Sequence, residues 1–546
     1  MRRLVFVLFL LVAYPVQATE FSVDTTVDAL DASPGDGICA DATGACTLRA
    51  AVMETNALAG EDVVNVPAGT YPLSSIGGIG IGAWDGGLTV SGAGADATII
   101  DAAGLPPAGN PPEPEDFALH VGPLGEGAGP VVLTGLAIIG SGYGVGAFAS
   151  NVQLSGVAIT GNSVGVQQFD AGDLRIEQSL IVGNDSGLVS YGFMSCKVSC
   201  APCVMGTLSL ENTTVSGSVN LGFGGIFGDD CGNVTRIVNS TLMTTPLYGL
   251  YGAFVFAPTT LDRSIIGGPC LIPNWLPNYL TSGGHNIGTD GTCNLTDPTD
   301  LPNTDPMLGP LQDNGGPTET HALLPGSPAI DAIPTADCTW DDDGDPETPE
   351  VPLRIDQRGA SRPQGVGCDI GAVEVTRCSD GRDDDADGRV DAEDPGCRDA
   401  LSVRENPQCQ DGRDNDGQVG IDFDGGASLD LDGDGFIDAA FNPDTPAVAA
   451  PDPQCVGKPW RTSEKSGCGL GGELLLLLPL LDALRRRPRF PLERTLRARA
   501  HAPESCGQCG SRAAMAARLS AMGRVVSTTT CCPGATSFSG GSQRAR

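Results

Sequence analysis

The chain has 546 residues, with 31 Lys and Arg against 67 Asp and Glu, a net charge of -36 and only 5% aromatic residues. Twelve of those basic residues lie after Leu484 with only two acidic ones, leaving 19 basic against 65 acidic before it, or -46. Such acidity excludes nucleic acid as a partner and suits divalent cations, while 76 Gly and 41 Pro point to many turns and little helix.

Residues 1–18 read as a secretory signal: Arg2 and Arg3, an apolar run from Leu4 to Ala13, and Val16-Gln17-Ala18 as a small-residue cleavage site. The expected location is outside the cytoplasm, at the cell surface, in the outer membrane or free in the medium. Nineteen Cys fit an oxidising compartment. Those before Cys468 fall into local pairs: Cys39 with Cys46, Cys270 with Cys293, Cys338 with Cys368, Cys378 with Cys397, and Cys409 with Cys455. Cys196, Cys200, Cys203 and Cys231 form a further cluster that is read either as two disulfides or as a four-Cys zinc site.

Residues 19–70 form an N-terminal cap. Leu48, Ala51, Val52, Thr55 and Leu58 share one helical face, with Thr47 as N-cap and Gly60 as terminator. Arg49 is expected to bridge this helix to strand carbonyls or to an acidic neighbour. Phe21-Ser22-Val23-Asp24-Thr25-Thr26-Val27-Asp28 and Cys46-Thr47-Leu48-Arg49-Ala50-Ala51 resemble the opening of CSLREA-domain proteins, with Ala50 standing where that signature has Glu. The resemblance implies a cap that precedes a β-helix and protects its first strand edge.

From 62 to 283 a two-run unit recurs. Val131-Val132-Leu133-Thr134-Gly135-Leu136-Ala137-Ile138 is echoed from Val152, from Leu174, and more loosely from Leu208, Arg236 and Thr260, at starts about 21 to 34 residues apart. A unit this short cannot bury its own apolar face and must stack on its neighbours. The fold class expected is all-β, a right-handed parallel β-helix with an N-terminal capping helix and small Asp-rich calcium-binding modules. A β-sandwich also alternates and turns, but does not repeat one two-run unit. Asn162 and Asn184 are expected at left-handed corners, and Asn212 and Asn239 in an inward amide ladder. Val63-Val64-Asn65-Val66 and Leu88-Thr89-Val90-Ser91-Gly92 are similar to the opening turns of pectin-lyase-like proteins.

In 284–375, Asp305-Pro306-Met307-Leu308-Gly309, Asn314-Gly315-Gly316-Pro317-Thr318, Gly326-Ser327-Pro328-Ala329-Ile330-Asp331 and Asp369-Ile370-Gly371-Ala372-Val373-Glu374 resemble, in order, the choice-of-anchor domain of surface β-helix proteins. Asp331, Asp356, Arg358, Asp369 and Glu374 sit beside Gly and Pro turns, as side chains that tie irregular loops together do.

Residues 376–466 are Asp- and Cys-rich. Asp383, Asp385, Asp387, Gly388, Asp391 and Asp394 occupy positions 1, 3, 5, 6, 9 and 12 of an EF-hand-type loop, whose alternating oxygen ligands and turn glycine suit Ca²⁺. Asp430, Asp432, Asp434, Gly435 and Asp438 repeat the frame, and Asp414 and Asp416 open a degraded copy. The segment resembles calcium repeats that precede the anchors of myxobacterial surface proteins. In 467–489, Cys468-Gly469, a short apolar span from Leu474 to Leu481 and Arg485-Arg486-Arg487 resemble a MYXO-CTERM sorting tail. That resemblance implies that Cys468 anchors the chain to the cell envelope. Residues 490–546 form an extension of little periodicity.

Two functions remain open on sequence grounds. One is a non-enzymatic surface protein contacting an extracellular polysaccharide or a cell-surface ligand. The other is a polysaccharide lyase or glycoside hydrolase, for which Asp170, Asp173 and Arg175 are the nearest charged grouping. Grouped acidic residues on one coil face would favour the enzyme; aromatic or polar ladders on a bare flank would favour binding.

Overall fold

The alternating apolar runs close into stacked coils. The computed structural model describes residues 18–461, apart from 83–85, 107–108, 110–112, 123–128, 149, 170–171, 193–203, 219–220, 227–231, 244–246, 250–253, 256–258, 272–279, 341–350, 353, 384–388, 403, 406, 408 and 411–451. Three parallel sheets, A, B and C, run the length of a right-handed parallel β-helix. Sheet A orders ten strands from Glu20–Ser22 to Leu280–Gly284, sheet B ten from Gly69–Pro72 to Leu301–Pro302, and sheet C begins at Ile79–Ile81. Each copy of the repeat supplies its first run to sheet A and its second to sheet B, so that Val131–Thr134, Val152–Ser155 and Leu174–Glu177 are neighbours.

Register converts the repeat into columns. Leu133, Leu154, Ile176, Leu210, Ile237 and Leu261 align across sheet A and are fully buried. In sheet B, Ile138, Ile159, Ile181, Val215 and Leu242 do the same. Each such side chain contributes about 1.5–3 kcal/mol by leaving water.

The corners correct one expectation. Asn212 and Asn239 are the left-handed residues, at φ 45° and 47°, in the same corner column as Gly135, Gln178 and Arg263. Asn162 and Asn184 instead form the inward ladder. Gly161 and Gly183, at φ 67° and 62°, already turn that corner, so the residue after each points into the coil. Asn162 Oδ1 accepts from Ser141 N (2.9 Å) and Asn184 Oδ1 from Asn162 N (2.9 Å), while Asn184 Nδ2 donates to Ile159 O (3.0 Å). A second ladder lines the other corner. Ser240 Oγ accepts from Thr213 N, Ser264 Oγ from Ser240 N, and Asn286 Oδ1 from Ser264 N, until Asp300 Oδ1 accepts from Asn286 N (3.0 Å) and closes the series.

The first coil is sealed by the helix α1 (Leu48–Ala57), whose N-cap Thr47 accepts from Ala50 N. Asn56 meets the open edge of sheet C as a strand would: its Nδ2 donates to Gly80 O and its Oδ1 accepts from Gly82 N, both at 2.8 Å. Arg49 donates to Gly77 O (2.6 Å) and Gly78 O (2.8 Å) and pairs with Asp28 (2.6 Å). The side chains of Arg49 and Asp28 are only 6% and 5% exposed. Burial alone would raise the Asp28 carboxyl, but hydrogen bonds from Arg49 and Ser74 hold it below its ordinary value.

Beyond Pro302 the chain folds back along sheet B. Gly371 N donates to Arg263 O (2.9 Å), Ala372 N to Thr241 Oγ1 (3.0 Å), and Thr214 Oγ1 to Gln357 Oε1 (2.6 Å). Gly371, at φ 100°, lies so close that a Cβ there would stand 2.7 Å from Ile265 Cδ1. Ile265 and Ile287 join Leu323, Ala329, Ile333 and Ile370 in a second core under this region. Five disulfides close between the paired cysteines, Cys39–Cys46, Cys270–Cys293, Cys338–Cys368, Cys378–Cys397 and Cys409–Cys455. Cys196, Cys200, Cys203 and Cys231 lie outside the described residues.

Arg49→Met should cost about 3–5 kcal/mol in urea unfolding, because it strands a buried carboxylate, and adding Asp28→Leu should recover much of the loss. Asn184→Ala should cost about 2 kcal/mol, since it leaves Asn162 N without an acceptor. A loss below half a kcal/mol in either single variant would contradict these assignments.

Candidate functional site

The three outer faces differ in what they offer. Sheet B carries the returning chain. On sheet C, Val145 and Ala147 point into the core while Gly146 faces out, beneath the rings of Phe117 and Phe148. Phe148 stacks on Phe169 at 4.6 Å and 11°, and Phe117 meets Phe148 edge-on at 5.3 Å. These rings turn their faces to one another, so they hold adjacent coils together rather than forming an open platform.

Among the described residues, a polar strip runs along sheet A. Gln153, Arg175 and Ser209 share one outward column, and Glu177 and Glu211 the next, with Arg236 and Asp262 continuing them. Arg175 lies between the two carboxylates, 3.1 Å from Glu177 Oε2 and 2.7 Å from Glu211 Oε2. Gln153 Nε2 donates to Glu177 Oε1 and Ser209 Oγ to Glu211 Oε1, each at 2.7 Å. Burial pushes the Glu211 carboxyl above its ordinary value, and Arg175 partly opposes that. Glu177 and Glu211 are in register on adjacent strands, which places their backbones about 4.8 Å apart.

Arg175 is therefore not grouped as the sequence suggested. Asp173 turns away to accept from Thr207 N (2.9 Å) and Thr207 Oγ1 (2.7 Å), and Asp170 is outside the described residues. Glu211, the partner Arg175 does take, is 36 residues away in sequence. The signal was available: aligning the repeat copies puts Glu177 and Glu211 at the same position.

The acidic set of the terminal region is structural. Asp356 accepts from Arg358 N, Ala360 N, Arg358 Nε and Glu374 N. Glu374 accepts from Arg362 Nη1 (3.0 Å), Gln364 N and Asp369 N, while Asp369 accepts from Asp331 N and Val375 N. Asp356 and Glu374 have no exposure, so this set reaches no substrate. Burial and the nearby Glu374 push the Asp369 carboxyl up to about 7.

Three of the calcium candidates are described. Asp391 accepts from Gly381 N at 3.2 and 3.1 Å, and Asp394 accepts at Oδ1 from Gln410 Nε2 (3.0 Å). Asp383 lies in irregular backbone before residue 384. Among the described residues, no three His, Cys, Asp or Glu side chains converge as metal ligands. Asp385, Asp387, Asp414, Asp416, Asp430, Asp432, Asp434, Asp438 and the anchoring candidate Cys468 lie outside the described residues.

No family model and no curated protein matches the chain. Among solved structures, it is similar to pectate lyase Pel9A, at 11% identity and TM-score 0.30 over 66% of this chain and 97% of that one. It is also similar to XylC in complex with xylose, at 11% identity and TM-score 0.29 over 58% and 67%. Pectin methylesterase PemA from Erwinia chrysanthemi aligns at 12% identity and TM-score 0.24 over 53% and 100%. At these values no activity transfers to the chain.

A carboxyl whose folded pKa lies above its unfolded one adds stability that is full below the unfolded value and lost as pH rises through the folded one. Asp369→Asn should therefore destabilise most near pH 4, with the deficit in melting temperature narrowing as pH rises from there to about 7 and level above it. A deficit constant from pH 4 to 8 would place the titration elsewhere.

Proposed function

We propose that the chain is an exported β-helix protein that contacts an extended glycan along the outer face of sheet A without transforming it. The observation that carries this reading is the strip from Gln153 to Asp262, on a face that, among the described residues, neither the returning chain nor the aromatic stack occupies. Its polar groups recur once per coil, so a polymer with repeating hydroxyls meets repeating partners. Glu177 and Glu211 are both held by Arg175 and by neutral donors, which suits them to recognition. Export is supported by the N-terminal signal pattern and five disulfides. Retention at the cell surface rests on Cys468 and the tail around it.

Calcium is assigned to the acidic segment. Asp383, Asp385, Asp387, Asp391 and Asp394 would hold one ion, with Asp414, Asp416, Asp430, Asp432, Asp434 and Asp438 serving others. All are hard oxygen donors, the ligand type that Ca²⁺ takes. Bound calcium would neutralise carboxylates that otherwise repel one another.

A second reading, glycan hydrolysis, is favoured by one observation: Glu211, with its raised carboxyl, stands in register with Glu177. Carboxyl separations of about 5–5.5 Å serve retaining glycosidases.

Binding to a polysaccharide panel, with reducing ends assayed in parallel, separates the two readings. The expected outcome is saturable binding without cleavage, weakened about tenfold by Arg175→Ala, or roughly 1.4 kcal/mol. Reducing-end release that both Glu177→Gln and Glu211→Gln abolish would establish the enzyme instead. For calcium, titration of the whole chain should show saturable uptake with ordering by circular dichroism; no uptake would sink that assignment.

A further inference from the structure

The two disulfide modules after Thr376 end alike, in Asp394-Pro395-Gly396-Cys397 and Asp452-Pro453-Gln454-Cys455. In both, the Asp turns Oδ1 to the N–H two residues on, Asp394 to Gly396 and Asp452 to Gln454. Asp452 is fully buried, and its other oxygen, Oδ2, has no hydrogen-bond donor. Gln410, 1% exposed, is in the same condition: its Nε2 donates to Asp394 Oδ1 (3.0 Å), while its Oε1 is buried and receives nothing. The Cys409–Cys455 disulfide, with Cα atoms 5.4 Å apart, tethers the two backbones that carry these groups. Gln410 follows Cys409, which is bonded to Cys455, and Cys455 N donates to Asp452 O (3.0 Å) in the turn that Asp452 opens.

A buried carboxylate oxygen and a buried amide oxygen, both acceptors and both without a donor, are costly unless a positive centre lies between them. We propose that Asp452 Oδ2 and Gln410 Oε1 are ligands of one buried Ca²⁺ that joins the two modules, with Asp394, hydrogen-bonded to Gln410, supplying a second negative charge. This rests on reading the acidic segment as calcium-set, but it places an ion at Asp452 and Gln410, which belong to none of the EF-hand-type frames, with only Asp394 shared with the first of them. Carboxylate and amide oxygens select a hard cation over zinc, and a site offering several protein oxygens suits Ca²⁺ better than the water-retaining Mg²⁺. The set has only two carboxylates, and the amide oxygen is what distinguishes it from a chance meeting of acidic side chains.

The test uses the exported full chain, stripped with EGTA and titrated with CaCl₂ by calorimetry, with thermal unfolding measured with and without the ion. Asp452→Asn and Gln410→Met should each weaken one class of sites about 10- to 100-fold and shrink the calcium-dependent rise in melting temperature. Gln410→Glu should tighten the same class. Wild-type stoichiometry and affinity in Asp452→Asn and Gln410→Met would overturn the proposal, and would mean that a water or a proton bridges the two oxygens. If Asp452→Asn does not fold, the two Gln410 variants decide in the same way. A wild-type chain that takes up no calcium would overturn the wider calcium reading together with this site. A chain that binds calcium while all variants remain unchanged would overturn this site alone.

Discussion

A solenoid of parallel coils must turn its backbone at every corner, and each turn brings into the interior an N–H that no strand pairing reaches. Here the next coil's side chain takes it, through Asn162 and Asn184 at one corner and Ser240, Ser264 and Asn286 at the other. Because every rung depends on the one beyond it, the ladder must be terminated. Asp300 does so, accepting from Asn286 N, Asn286 Nδ2 and Ser282 Oγ through a single oxygen. An unsatisfied buried N–H costs about 1–3 kcal/mol, so the ladders decide which residues each corner tolerates.

The same accounting governs the first coil. An uncovered parallel edge would recruit another chain. Asn56 and Arg49 instead take the free carbonyls of residues 77, 78 and 80 with side chains, and Asp28 anchors Arg49 from behind. The returning segment uses another strategy. It is too irregular to build a large apolar interior, so it combines the small core around Ile333 and Ile370 with the buried charges of Asp356, Arg358, Arg362, Asp369 and Glu374. Three acidic groups against two basic ones leave the Asp369 and Glu374 pair short of positive charge, and burial raises both carboxyls.

These structural demands leave little surface for function. Sheet B is covered, and sheet C spends its rings on coil stacking. The polar strip of sheet A is then the flank to which the proposed glycan contact is assigned, and the proposed calcium sites lie in the acidic modules, apart from that flank.

The apolar alternation, the cysteine pairs, Thr47 as N-cap and Arg49 as a bridge were all legible in the sequence. Each is a local pattern, and a two-residue period by itself tells inside from outside. The sequence could not say which asparagine would turn a corner and which would point inward, because that depends on whether a neighbouring glycine has already taken the left-handed conformation. Nor could it group Arg175 with Glu211, across a 36-residue gap, or bring Gln178 Nε2 against Asp356 O, 178 residues away. Loops of unequal length separate the coils, so contacts between them are set by how the stacked strands align. Only the assembled solenoid, with one face already closed by its own chain, determined where its charges meet.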